Sequence, residues 1–188
     1  MPRPSRRDHL IETAITLFCE HGYHATGIDR LLATAGVSKK TMYQHFRSKE
    51  ELIYAALQQY DSVFRNNFMK AVEDIGKTPE EKLLAIFDVA ETWFNGNKFF
   101  GCMFINAIGE YSEQESPIRD ISKQFKKLMW GYVNGLAKDA CVKNHKALAD
   151  ELCLLLEGSI VTAQVSQNPQ AAFIAKKMAQ RAVQEALA

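Results

Sequence analysis

Capping residues stand just ahead of apolar positions spaced three and four apart all along this chain, a recurrence that leaves room for little but helix. Ser5-x-x-Asp8 predicts a first helix carrying Leu10, Ile11, Ala14, Ile15, Leu17 and Phe18, with Gly22 at its end. Thr26-x-x-Asp29 predicts a second, carrying Ile28, Leu31 and Leu32 and ended by Gly36. Ser38 caps a third short helix over about 39–45, and Ser48-x-x-Glu51 opens a long fourth that reaches about Asp74 before Gly76. Thr78-Pro79-Glu80-Glu81 combines a cap, a first-position proline and first-turn acids, so a fifth helix runs from there to about Phe94 and breaks at Asn95-Gly96-Asn97. A sixth is expected over about Phe100 to Tyr111, a seventh from Ser116-Pro117, an eighth from near Ala147 and a ninth from Asn168-Pro169. In the seventh, Ile118, Ile121, Phe125, Leu128, Tyr132 and Leu136 fall near a heptad spacing. No stretch sustains the period-two alternation of a strand. The expected fold is all-α, with about nine helices: a three-helix helix-turn-helix domain over 1–50 and a larger helical domain over 51–188.

Charge is distributed unevenly over those two parts. Residues 1–50 hold eight Lys or Arg against five Asp or Glu, whereas the remaining 138 hold fifteen against seventeen. A basic front end on a mildly acidic body points to a polyanion-binding module joined to something else. Hydrophobic residues make up 47 % and charged residues 24 %, ordinary values for a chain that buries a sizeable core. No run of roughly 18 apolar residues occurs and MPRPSRRDHL has no apolar signal core, so the protein is expected in the cytosol and away from membranes. Cys19, Cys102, Cys141 and Cys153 lack C-x-x-C spacing and are expected as reduced thiols. His21 and His24 flank Gly22 beside Cys19, but this spacing does not put three ligands on one helical face, so no metal site or cofactor is expected.

Between the second and third helices, Ala35-Gly36-Val37-Ser38 has the length and the glycine of a helix-turn-helix. In GVSKKTMYQHFRSKEEL, Val37, Met42 and Phe46 fall on the inner side with Phe18, Ile28 and Leu32, as the core of a small domain. Lys39, Lys40, Thr41, Tyr43, Gln44 and His45 fall on the outer side, a face of phosphate binders, hydroxyls, an amide and an aromatic suited to nucleic acid. The span from about Ser5 to Leu52 resembles the DNA-binding domain of the TetR family of bacterial transcriptional regulators. The likeness rests on the apolar first helix, Gly22-Tyr23-x-x-Thr26, Asp29, Ala35-Gly36-Val37-Ser38, and the run from Tyr43 through His45, Phe46, Lys49 and Glu50 to Leu52. It implies that Lys39–His45 is a recognition helix in the major groove of double-stranded operator DNA. Lys39, Lys40 and Gln44 then reach base edges or phosphates, while Thr41, Tyr43 and His45 meet phosphate oxygens and thymine methyls. Thr26 would offer its hydroxyl to a phosphate at the start of the second helix, and Lys49 would clamp the backbone. Arg3, Arg6 and Arg7 would follow the DNA as an arm.

One short recognition helix reads few base pairs, so a homodimer is expected. Leu152, Cys153, Leu154, Leu155, Leu156, Ile160, Val161 and Val165 surround much of the eighth helix, which pairing with a second copy would cover. Ala172, Ala175, Ala179, Ala182 and Val183 on the ninth are small enough for close approach. The resemblance agrees, since the family's dimers form a four-helix bundle from the last two long helices. It also implies a small-molecule effector held by aromatic walls, for which Trp93, Phe104, Tyr111 and Trp130 are the candidates. Cys102, after Gly101 in NKFFGCMFINAIGEY, begins a segment ending at Glu110; some TetR-type regulators with a similar segment respond to oxidants or electrophiles through that cysteine. No nucleophile–base pair, carboxylate dyad or phosphate loop stands out, which speaks against an enzyme. The expected function is a repressor released by a small hydrophobic or electrophilic effector, the alternatives being an activator or a redox sensor using Cys102.

Overall fold

Ser5 Oγ accepts the amide of Asp8 at 3.1 Å and thereby starts α1 (Arg6–His21), which Gly22 ends with its N–H on the Phe18 carbonyl. The computed structural model describes residues 5–188; Arg3 lies outside them. Among the described residues there follow α2 (Ile28–Ala35), α3 (Lys39–His45), α4 (Lys49–Ile75), α5 (Pro79–Phe94), α6 (Met103–Glu110), α7 (Pro117–Asp139), α8 (His145–Ser166) and α9 (Gln170–Leu187). The protein is all-α.

Several starts carry the capping chemistry that the sequence announces. Ser38 Oγ accepts the Thr41 amide at 3.1 Å. Thr78 and Glu81 form a reciprocal capping box: Thr78 Oγ1 accepts the Glu81 amide and Glu81 Oε2 accepts the Thr78 amide, both at 3.2 Å. At the head of α4, Ser48 Oγ accepts from the Glu51 amide while Glu51 Oε2 accepts from Arg47.

Three expectations need correction. Thr26 does not cap α2; Gly27 holds that position without a side-chain bond. The sixth helix starts at Met103, because Gly101 takes φ 79° and the Phe100 carbonyl turns aside to accept Gln164 Nε2 at 3.1 Å. In α7 the buried stripe runs through Ile118, Ile121, Phe125, Met129, Val133 and Leu136, advancing mostly by four residues. Leu128, placed inside by the heptad reading, is 38 % exposed, since a straight 3.6-residue helix drifts off a 3.5-residue repeat.

The chain divides into two compact units. The first holds the residues up to Val63 together with Met103–Phe125, the second Phe64–Cys102 with Lys126–Ala188. This division is drawn differently from the functional boundary expected at residue 50, because α6 and the start of α7 belong with the N-terminal helices. In the first unit α1 packs on α2 and α3, and Phe104 stacks on Phe125 with centroids 4.0 Å apart and planes 12° apart. In the second, α5, α8 and α9 pack together, and Lys176 of α9 binds both carboxylate oxygens of Asp88 at 2.5 and 2.7 Å.

Phe104 is 1 % exposed. Phe104→Ala should cost about 3–5 kcal/mol through the ring packing it removes and the cavity left behind, read as a lowered midpoint in urea denaturation at unchanged slope.

Candidate nucleic-acid interface

The rotation of α3 about its own axis decides what it can present. Met42 is wholly buried and Phe46, the residue that ends the helix, is 3 % exposed. With that side fixed inward, Lys39, Lys40, Tyr43, Gln44 and His45 are all exposed, Tyr43 at 44 %. Thr41 is half-buried and its hydroxyl lies 2.9 Å from that of Ser38, so both groups serve the helix start as well as its surface. Gly36 takes φ 62° at the end of α2, and its N–H with that of Val37 closes the turn onto Ala33 and Leu32. Phe18, Met42 and Phe46 form the buried side as expected, whereas Ile28, Leu32 and Val37 are only half-covered.

Thr26 is not a surface group. It is fully buried, and its hydroxyl lies 2.7 Å from the Gly22 carbonyl and 3.3 Å from that of Leu17. With its one proton committed to carbonyls, it has no face to turn to a phosphate. Lys49, at the first position of α4, is half-buried; burial pulls its ammonium below the usual lysine range, against the opposing pull of Glu50 and Glu110.

Some neighbours of the motif were not legible as partners. Arg7 places its guanidinium 5.3 Å from the centre of the Phe46 ring, and His9 Nε2–H donates to the Ala35 carbonyl at 3.2 Å. Arg6, His9, Gly36, Ser38 and Thr41 line an open cleft of about 600 Å³ beside the turn. Arg30 donates to His21 Nε2 at 2.7 Å, tying α2 to the end of α1.

The residues expected at an effector site divide between the two units. Trp93 packs against Phe64, Phe94 and Phe99 with centroids 4.9–5.7 Å away, and Trp130 donates its indole N–H to Asp150 at 2.7 Å, both in the second unit. Phe104 is core of the first unit. Tyr111 lines a cleft of about 470 Å³ with Glu50, Tyr54, Glu113 and Ile118. Burial, then the charges of Glu50 and Glu110, pushes the Tyr111 phenol up to about 12. Cys102 immediately precedes α6 and is 5 % exposed, a small packed thiol. Among the described residues no group of three or more His, Cys, Asp or Glu is placed to hold a metal ion, and no helix is long and apolar enough to cross a membrane.

Residues 10–56 match the family model described as bacterial regulatory proteins, tetR family. The match covers about a quarter of the chain, so it is the segment from α1 to the start of α4 that is similar to the TetR family. Among curated HTH-type relatives, the chain is 36 % identical over 95 residues to the transcriptional activator FasR of Mycolicibacterium smegmatis, covering 50 % of this chain and 42 % of FasR. It is 31 % identical over 121 residues to the transcriptional repressor DhaR of a Mycobacterium species, covering 64 % of this chain and 58 % of DhaR. The matches thus span about half the length of these relatives. The fold is that of SCO4454, a TetR-family transcriptional regulator from Streptomyces coelicolor, with a TM-score of 0.89 at 24 % identity over 97 % of this chain and 96 % of that one.

Thr26→Val keeps the shape and removes the hydroxyl proton. It should lower stability by about 1–3 kcal/mol in thermal melts, since two carbonyls lose their donor. It should leave the salt dependence of duplex binding unchanged, because a buried hydroxyl meets no phosphate.

Proposed function

We propose that this chain is a TetR-type homodimeric transcriptional repressor that binds operator DNA through α3 and is released by a small hydrophobic effector. The observation that carries the reading is the fixed orientation of α3: buried Met42 and Phe46 commit Lys39, Lys40, Tyr43, Gln44 and His45 to one outward ridge. Lys39, Lys40 and Gln44 have the reach for guanine and adenine edges or for phosphates; Tyr43, His45 and the half-buried Thr41 suit phosphate oxygens and thymine methyls. Lys49, at the first position of α4, is the proposed backbone clamp, and the exposed Arg6 and Arg7 extend the basic surface. Thr26 is left out of the DNA-facing set.

A second copy doubles the ridge, with the two recognition helices about 34–36 Å apart to meet successive major grooves. Support comes from the last two helices: on α8 through residues the sequence announces, on α9 through others. The alanines of α9 are used within the chain: Ala172, Ala175 and Ala179 are buried where α9 packs on α5 and α8. What stays uncovered is large and apolar: Leu154, Val161 and Val165 on α8, and Phe173, Ile174 and Met178 on α9, exposed by 41–77 %. Such a stripe is covered by pairing in an isologous interface.

The half-buried Trp93 and Trp130 of the second unit are the proposed effector-binding residues. Cys102, at 5 % exposure, gives a bulky electrophile little approach, which favours a non-covalent effector over a bulky covalent one. Release requires the effector to prefer the non-binding conformation by about 1–3 kcal/mol. Relatives described as activator and as repressor both occur, so an activator is the second reading; a reporter gene whose output falls on deletion of this protein would select it.

Duplex binding, followed by fluorescence anisotropy on the protein's own upstream region, should weaken linearly on a log–log plot against salt. Lys39→Ala and Lys40→Ala should each lower the slope by about 0.9 for every phosphate left without its cation. No binding at low ionic strength would sink the reading. Leu154→Glu with Ile174→Glu should halve the mass in solution and reduce duplex affinity on the order of 10²-fold or more, as each half-site is then bound singly.

A further inference from the structure

We propose that Glu110, the last residue of α6, is a positioning residue for DNA reading: it clamps the turn between α1 and α2, and so holds the helix-turn-helix in its binding geometry. The inference rests on the DNA-binding reading and adds a residue outside the family-matched segment 10–56.

The geometry lies wholly within the first unit. Glu110 Oε1 accepts the backbone N–H of Tyr23 at 2.8 Å and Oε2 accepts that of His24 at 2.6 Å. Two oxygens of one carboxylate thus take two consecutive amides, which fixes the turn in orientation as well as in distance. The Glu110 carbonyl accepts His24 Nε2–H at 2.9 Å, and the His24 ring stacks on Tyr111 at 4.7 Å. At the other end of α6, Tyr23, wholly buried, donates its hydroxyl to the Met103 carbonyl at 2.8 Å. Both ends of α6 therefore grip one turn. Gly22 fits this closeness: it takes φ 82°, and a Cβ there would lie 2.8 Å from Glu110 Oε1.

The arrangement gives Glu110 a role with no thiol chemistry in it, although the residue closes the segment that Cys102 begins. It also has a sign that separates it from simple electrostatics. Glu110 adds a negative charge to the unit that must approach a polyanion, and its field reaches Lys49. If charge were its whole effect, neutralising it would tighten DNA binding. If it positions the turn, neutralising it weakens binding: in Glu110→Gln one amide keeps an acceptor while the other faces a donor.

The test uses the full chain and a labelled duplex from its own upstream region, comparing wild type, Glu110→Gln and Glu110→Ala. Both variants should bind on the order of tenfold more weakly, the size of losing a charge-assisted hydrogen bond from the binding-competent form. The salt slope and the elution volume should not change. Binding as tight as wild type, or tighter, overturns the proposal. Native-state hydrogen exchange on the wild type decides if the variants fail to fold or the wild type binds no duplex. The Tyr23 and His24 amides should be protected like those inside α1; exchange at the rate of an open loop overturns the clamp. A wild type without duplex binding but with both amides protected sinks the regulator reading and the DNA-reading role while keeping the clamp as geometry.

Discussion

The burial of Met42 and Phe46 is the interaction on which the use of this protein turns. A helix of seven residues is too short to persist by its own hydrogen bonds, so α3 exists because its inner side is packed within the first unit. The same packing removes its freedom to rotate. A polar ridge is useful for reading a groove only when its side chains keep a fixed register, and here the register is set by two apolar residues that touch no ligand. Arg7 over the Phe46 ring and His9 on the Ala35 carbonyl add polar ties around that centre.

Most of the fold was legible because helix ends are written locally. Ser38 and Thr78 act on amides three residues away, and a reader of sequence sees both partners at once. Thr26 shows the limit of that reading. It has the residue type and the following acid of a cap, yet its hydroxyl is used by carbonyls earlier in the chain. The α9 alanines show a second limit: small residues announce close approach but not to which neighbour. The heptad in α7 failed for a third reason, since spacing near 3.5 and spacing near 3.6 diverge only after several turns.

The outer face of α3 was readable for the same local reason, through a long and specific motif. The contribution of α6 was not. Glu110 and the amide of Tyr23 are 87 residues apart, and nothing near either one names the other. The effector-site expectation is the least local one. Aromatic residues fill cores and line cavities alike: Phe104 is buried and Tyr111 lines a cleft in the first unit, while Trp93 and Trp130 belong to the second.

That the first unit draws on two separated stretches, up to Val63 and then Met103–Phe125, bears on how the protein is born. The helix α3 leaves the ribosome early, yet the segment that grips the α1–α2 turn follows only after α4 and α5 have been made. At about 5–20 residues per second, the nascent N-terminal helices wait several seconds for their last partner. During that interval the Tyr23 ring, which meets Met103 and Tyr111 in the finished fold, is open to chaperones and to neighbouring chains.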